Sequence, residues 1–139
     1  LLEIEIAGLA AERRTDDDLA GLKVVLDDYP NVADDRQSYV KWDLDFHLRL
    51  AASTHNELFV LLLDSIGGIM TRVREIGFNV PGAGERALRF HTAIFKQVEL
   101  RSRDGARQAM REHIEDSESV MKAGMIIAAA ETPPKTDPK

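Results

Sequence analysis

The stretch WDLDFHL, residues 42–48, indicates the type of fold because its apolar and polar residues both recur at helical spacing. One apolar stripe extends from it in both directions and consists of Tyr39, Trp42, Phe46 and Leu50. Beside that stripe, Asp43 and His47 are four positions apart, so both side chains lie on one helix face and can reach one ion. Because burial of unpaired polar groups costs free energy, this pair requires a partner or a ligand.

The rest of the chain shows the same three- and four-residue apolar spacing, and no stretch has the sustained alternation of a strand. We predict six helices, over about residues 1–13, 15–29, 32–54, 56–76 and 85–102, and from about 104 into the alanine-rich segment 128–130. Pro30 is expected to end the second helix, and Asp104 is expected to cap the sixth. The pair Gly67-Gly68 is expected to bend the fourth helix.

Length and composition restrict the class of protein. The chain of 139 residues suits one domain, residues 1–127, followed by a proline-rich, polar tail at residues 128–139 that is expected to be disordered. A net charge of −6 disfavours direct binding to DNA or RNA, and the lack of cysteine excludes disulfides and thiolate metal sites. No apolar run approaches the roughly 20 residues of a membrane span, so we expect a cytoplasmic protein that has no membrane partner.

Three of the four histidines lie on predicted inner stripes of three different helices, namely His47, His91 and His113. Each one alone is more simply explained as a hydrogen-bonded core residue. A shared metal would satisfy all three together with Asp43, and imidazole and carboxylate ligands suit Zn²⁺, Ni²⁺, Mn²⁺ or Fe²⁺. His55, next to Asn56 at a helix end, and Asp45 are expected to lie at the surface.

Two segments carry a family resemblance: DLDFHLRLAASTHN, residues 43–56, and FHTAIFKQVELRSRDGARQAMREHI, residues 90–114. Together with the opening LLEIEIAGLAAERRTDDDLAGL, residues 1–22, they resemble the FCD domain, the effector-binding C-terminal domain of the FadR-like branch of GntR transcription regulators. The sequence departs from the family pattern at Phe90, Arg103 and His55. None of these departures removes a candidate ligand.

The resemblance implies four metal ligands, Asp43, His47, His91 and His113, with Zn²⁺ preferred over Ni²⁺ or Mn²⁺. It further implies that the metal and nearby polar groups hold a small organic acid, and that Arg72 or Arg74 assists. The expected fold is an all-α, antiparallel bundle of about six helices around a central metal and ligand cavity.

The function implied by the resemblance is that of a ligand-sensing, dimerising domain of a transcription regulator. Contact with DNA is then expected only through a winged helix-turn-helix domain upstream of Leu1. One alternative is a metal-dependent hydrolase in a helical bundle, although no unassigned Asp or Glu is predicted on an inner face with the ligands. Another alternative is a purely structural bundle whose buried histidines hold no metal.

Overall fold

Eight helices follow one another in the computed structural model, which describes residues 1–132. Their bounds are α1 Leu2–Arg13, α2 Asp16–Asp27, α3 Tyr29–Val32, α4 Arg36–Ala52, α5 Glu57–Ser65, α6 Gly67–Phe78, α7 Ala83–Glu99 and α8 Arg103–Glu131. The described residues contain no strand, so the prediction of an all-α fold is confirmed. None of these helices is both long enough and apolar enough to cross a membrane.

Polar residues placed just before the helices determine where several of them begin. Thr15 and Asp18 form a capping box at the start of α2, as the threonine followed by three aspartates indicates. The side chain of Asn56 accepts a hydrogen bond from the Leu58 backbone at the start of α5. The cap of α8 is Ser102, which accepts from the Gly105 backbone, so the prediction that Asp104 caps this helix is wrong.

Several helix boundaries differ from the prediction, and α4 begins at Arg36 and not near residue 32. Helix α2 already ends at Asp27, and Pro30 lies inside the separate short helix α3, where proline is tolerated in the first turn. The predicted fourth helix is two helices, α5 and α6, because the backbone breaks at Ile66 before the two glycines. Helix α8 continues to Glu131, into the segment predicted to be disordered, and residues 133–139 of that segment lie outside the described residues.

Helix α4 is at the centre of the bundle and packs against α1, α2, α5, α6 and α7, while α8 packs against α1, α6 and α7. The fully buried large side chains of the core come from five helices: Ile6, Leu22, Phe46, Leu50, Ile94, Val98 and Met110. The Trp42 indole is also buried and donates a 2.7 Å hydrogen bond to the Val25 carbonyl. This contact fixes the rotation of α4, whose polar row therefore faces α7 and α8.

A close approach between α6 and α8 brings a further side chain to the centre of the bundle. Gly124 lies against Ile76, and a Cβ atom at position 124 would come within 2.6 Å of the Ile76 carbonyl oxygen. Only glycine therefore permits this spacing of the two helices. The close packing places Arg74 of α6 beside Asp43, with the arginine side chain 10% exposed.

Candidate metal centre

Four side chains from three helices converge in the core. Asp43 and His47 come from α4, His91 from α7 and His113 from α8, and each offers one ligand atom within 4.8 Å of all the others. All four are buried. The Nε2 atom of His113 lies 3.3 Å from the Nε2 atoms of both His47 and His91. Asp43 completes the group, because its Oδ1 atom is 3.4 Å from the His91 Nε2 atom.

These separations suit a shared cation. Ligand atoms bound at about 2.1 Å stand roughly 3.0 Å apart at a right angle and roughly 3.4 Å apart at the tetrahedral angle. A neutral imidazole Nε2 atom carries either one proton or one lone pair, so hydrogen bonds alone cannot satisfy His113 toward both neighbouring histidines. A cation would accept lone pairs from all three rings, and the set of nitrogen and oxygen donors fits a divalent transition metal or zinc.

Aromatic packing holds the imidazole rings in place. The His91 ring stacks on Phe46 with centroids 4.1 Å apart and planes 9° apart, and the Trp42 ring centroid lies 5.0 Å from that of His91. The rings of His47 and His113 are also stacked, with centroids 5.3 Å apart. The apolar stripe of α4 therefore supports the site built from the adjacent polar row.

Arg74 is the charged partner of Asp43, with its Nε atom 2.5 Å from Oδ2. Burial by itself would raise the pKa of Asp43, but the arginine and the three histidines hold that pKa well below its usual range. Burial lowers the pKa of His91 well below its ordinary value and lowers that of His113 to about 3. Both rings are therefore neutral at physiological pH, which is the form that binds metals.

Glu3 is a member of the site that the sequence reasoning missed. Its Oε1 atom lies 2.6 Å from the His47 Nδ1 atom, although neither atom makes a hydrogen bond with acceptable angles. Burial alone would raise the pKa of Glu3, but chiefly His47 lowers it to about 2. The expectation that no unassigned acid lies with the ligands was therefore wrong. A signal was present, because Glu3 is on the same α1 stripe as the buried Ala7 and Ala10.

The other candidate residues lie away from the centre. Arg72 is exposed, so of the two candidate arginines the structure brings only Arg74 to the ligands. Asp45 makes a surface pair with Arg49 at 3.0 Å, as expected for a residue that faces away from Asp43. His55 is half exposed and contacts Asp18 at 2.7 Å.

Among the cavities next to the candidate ligands, two are lined by both Arg74 and His113. The smaller cavity, of about 40 Å³, also contacts Asp43, Tyr39 and Ser117. The larger, of about 300 Å³, contacts Glu3, Met70 and Ser117. Ligand pockets in proteins commonly start at about 300 Å³, so this space is sufficient for a small molecule next to the charged cluster.

Comparison with known proteins finds several similar sequences. The chain is 32% identical over 126 residues to the HTH-type transcriptional regulator LutR of Bacillus subtilis, covering 87% of this chain and 58% of the relative. It is 30% identical over 114 residues to the galactonate operon transcriptional repressor of Escherichia coli, covering 78% of this chain and 48% of that protein. The fatty acid metabolism regulator protein of Pasteurella multocida is 29% identical over 90 residues, 65% of this chain and 37% of that protein.

The chain thus spans only about two fifths to three fifths of the length of these curated relatives. The family model of the FCD domain matches residues 1–116, a range that includes all four candidate ligands. The sequence resemblance predicted this match, and the chain belongs to the FCD domain family.

Proposed function

We propose that this chain is the ligand-sensing, dimerising domain of a GntR/FadR-type transcription regulator that uses a divalent metal and a small organic acid to control DNA binding. The observation that carries the proposal is the convergence of Asp43, His47, His91 and His113 on one buried point. Their Nε2 and carboxylate atoms form the ligand set, with Zn²⁺ as the first candidate and Ni²⁺ or Mn²⁺ as alternatives. A bound dication would supply a buried positive charge that attracts a carboxylate.

Arg74 is the protein group that we assign to the organic acid. Its Nε atom is engaged by Asp43, while the remainder of its guanidinium borders both cavities. The formal charges within this contact group are two carboxylates, from Glu3 and Asp43, and the Arg74 guanidinium. Without a metal this cluster has an excess of negative charge and disfavours an anion, whereas a dication reverses the excess. Anion binding should therefore require the metal.

The position of Arg74 suggests how binding is transmitted. Helix α6 carries this arginine and packs on both α4 and α8, so a ligand held by Arg74 acts on the contacts among three helices. The ligand must bind one packing of these helices better than another in order to change their populations. We propose that the favoured packing alters the spacing of the DNA-binding domains in the dimer.

DNA contact is assigned to a winged helix-turn-helix domain of the whole protein. The relative from Bacillus subtilis, of which this chain covers 58%, is named as a regulator of the HTH type. The net charge of −6 also disfavours DNA binding by this chain itself. Because such a regulator acts on chromosomal DNA, we place the protein in the cytoplasm.

Homodimer formation is supported by an exposed apolar face on α5 and α6. Its residues recur at three- and four-residue spacing along both helices and are Leu58, Leu61, Leu62, Ile66 and Ile69. Gly67 and Gly68 in the same region have open space above them, so a second backbone can approach closely. A two-fold axis through this face would pair it with itself and remove these side chains from water.

A metal-dependent hydrolase remains the alternative, and Glu3 is the new candidate base that contacts one of the four ligands. Glu3 contacts the Nδ1 edge of His47, which is the edge turned away from the Nε2 atoms. It is therefore badly placed to activate a water at the centre of the ligand group. The relatives are named as regulators and a repressor, which also favours a binding role over catalysis.

The experiment that tests the proposal is a thermal-shift screen of short-chain mono-, di- and hydroxycarboxylates. Each acid is tested with the zinc-loaded protein and with protein that has been treated with a chelator. A sensing domain should be stabilised by at least one acid only when metal is present, by about 2.7 kcal/mol at a hundredfold excess over Kd. Equal stabilisation with and without metal would contradict the proposed use of the cation.

A further inference from the structure

We propose that Glu3 is a positioning residue that holds the imidazole of His47 with its Nε2 atom toward the metal, and thereby links helix α1 to occupancy of the site. The inference rests on the proposed metal-binding function. Glu3 lies in the first turn of α1, outside the segment that contains the four candidate ligands. It would act through His47 and would not itself bind the ion.

The geometry sets this contact apart from the surroundings of the other two imidazoles. Glu3 Oε1 lies 2.6 Å from His47 Nδ1, and the glutamate side chain is only 16% exposed. No carboxylate of the described residues lies within 4 Å of the Nδ1 atom of His91 or His113. All three Nδ1 atoms, and Glu3 Oε1, lack a hydrogen bond with acceptable angles, so the short separation from a carboxylate is what sets His47 apart. His47 is thus the ligand whose orientation can be set by a carboxylate.

The chemistry follows from the single proton of a neutral imidazole. A carboxylate next to Nδ1 favours the tautomer that carries its proton there, which leaves the Nε2 lone pair available for a cation. Metal-bound histidines usually donate their second N–H group to a carboxylate or a carbonyl in this way. A cation held by Nε2 would favour a charge-assisted hydrogen bond from the Nδ1–H group to this carboxylate.

The same contact connects two helices. Glu3 is followed by Ile4, which is buried, and α1 packs on both α4 and α8. If a hydrogen bond from His47 Nδ1 to Glu3 forms when metal binds, the first turn of α1 is held more tightly against α4. By thermodynamic linkage, loosening of α1 must then weaken metal binding by the same factor.

Two substitutions test the role of Glu3 and one serves as a matched control. Glu3→Gln keeps an acceptor oxygen and removes the charge, whereas Glu3→Leu removes both. Glu5→Gln changes the same helix at a residue that pairs with Arg107 and does not contact the ligands. Metal affinity is measured by competition with a chromogenic chelator, and the visible spectrum of bound Co²⁺ reports the ligand geometry.

The expected order of affinity is wild type, then Glu3→Gln, then Glu3→Leu, with the leucine variant weakened roughly 10- to 100-fold. The Co²⁺ spectrum should change in both variants and remain unchanged in Glu5→Gln. Hydrogen exchange of α1 amides should slow on metal binding in the wild type, and much less in Glu3→Gln. Circular dichroism of the metal-free proteins identifies any variant that is unfolded, and the glutamine variant then carries the test.

Wild-type affinity and an unchanged Co²⁺ spectrum in folded Glu3→Gln and Glu3→Leu would overturn the assignment of Glu3 while the proposed metal site stands. Equal slowing of α1 exchange in the wild type and Glu3→Gln would overturn the link to α1. If the wild-type protein itself binds neither Zn²⁺ nor Co²⁺, the proposed function fails, and this inference fails with it.

Discussion

Replacement of Arg74 by methionine should destabilise the metal-free protein far more than the metal-loaded protein. The guanidinium and Asp43 form a buried pair, with side chains 10% and 4% exposed and 2.5 Å between Nε and Oδ2. Removal of one partner of such a pair leaves an uncompensated charge and costs about 3–5 kcal/mol. For a chain of this size the corresponding fall in Tm is on the order of 10–20 °C.

A bound dication would supply Asp43 with a new counter-charge, so the loss in Arg74→Met should shrink substantially in excess Zn²⁺. The assay is thermal and urea denaturation followed by circular dichroism, with chelator and with Zn²⁺. Arg72→Met is the matched control, because Arg72 is exposed on the same helix and its loss should change stability by less than about 0.5 kcal/mol. Arg74→Met should also abolish any stabilisation by carboxylates.

Two results would refute this reasoning. If Arg74→Met is as stable as the wild type in chelator, the ion pair with Asp43 does not stabilise the fold to the extent that its burial indicates. If the variant loses the same free energy of unfolding with and without Zn²⁺, the cation does not replace the arginine as the partner of Asp43.

Three further outcomes follow from the structure. In the folded protein the pKa of His91 is well below 6.5 and that of His113 is about 3, so below pH 6.5 the unfolded chain binds more protons than the folded chain. The free energy of unfolding of the metal-free protein, measured in denaturant titrations, should therefore fall as the pH drops from 6.5. The fall is up to about 1.4 kcal/mol per pH unit for each histidine. Gly124→Ala should cost about 1–3 kcal/mol in the same titrations, since the added methyl group meets the Ile76 carbonyl. Asp45→Asn should leave metal affinity in chelator competition unchanged, because Asp45 pairs with Arg49 at the surface.

The sequence was sufficient to predict the parts of the site that depend on position along one helix. Helical periodicity alone places Asp43 and His47 on one face, and it places His91 and His113 on inner stripes. Because a core helix buries its inner stripe, these polar residues had to meet near the centre of the bundle. The structure brings their ligand atoms within 4.8 Å.

The parts that could not be predicted depend on contacts between helices. The backbone break at Ile66 sets the rotation of α6. The sequence predicts one continuous helix over these residues, and such a helix does not indicate whether Arg72 or Arg74 faces inward. Periodicity could have placed Glu3 on the inner stripe of α1, but its contact with His47 arises only where α1 packs on α4, which is distant in sequence. Ser102 and Asp104 are both plausible caps by residue type, and only backbone geometry separates them.

The central claim is that the four buried side chains hold a metal ion, and the most direct test is elemental analysis of protein purified without an affinity tag. We expect close to one divalent ion per chain in the wild type, and far less in His47→Ala and His113→Ala. A metal content far below one per chain, with no gain in thermal stability from added Zn²⁺ or Ni²⁺, would contradict this claim. Full metal content in both alanine variants would contradict the assignment of these ligands.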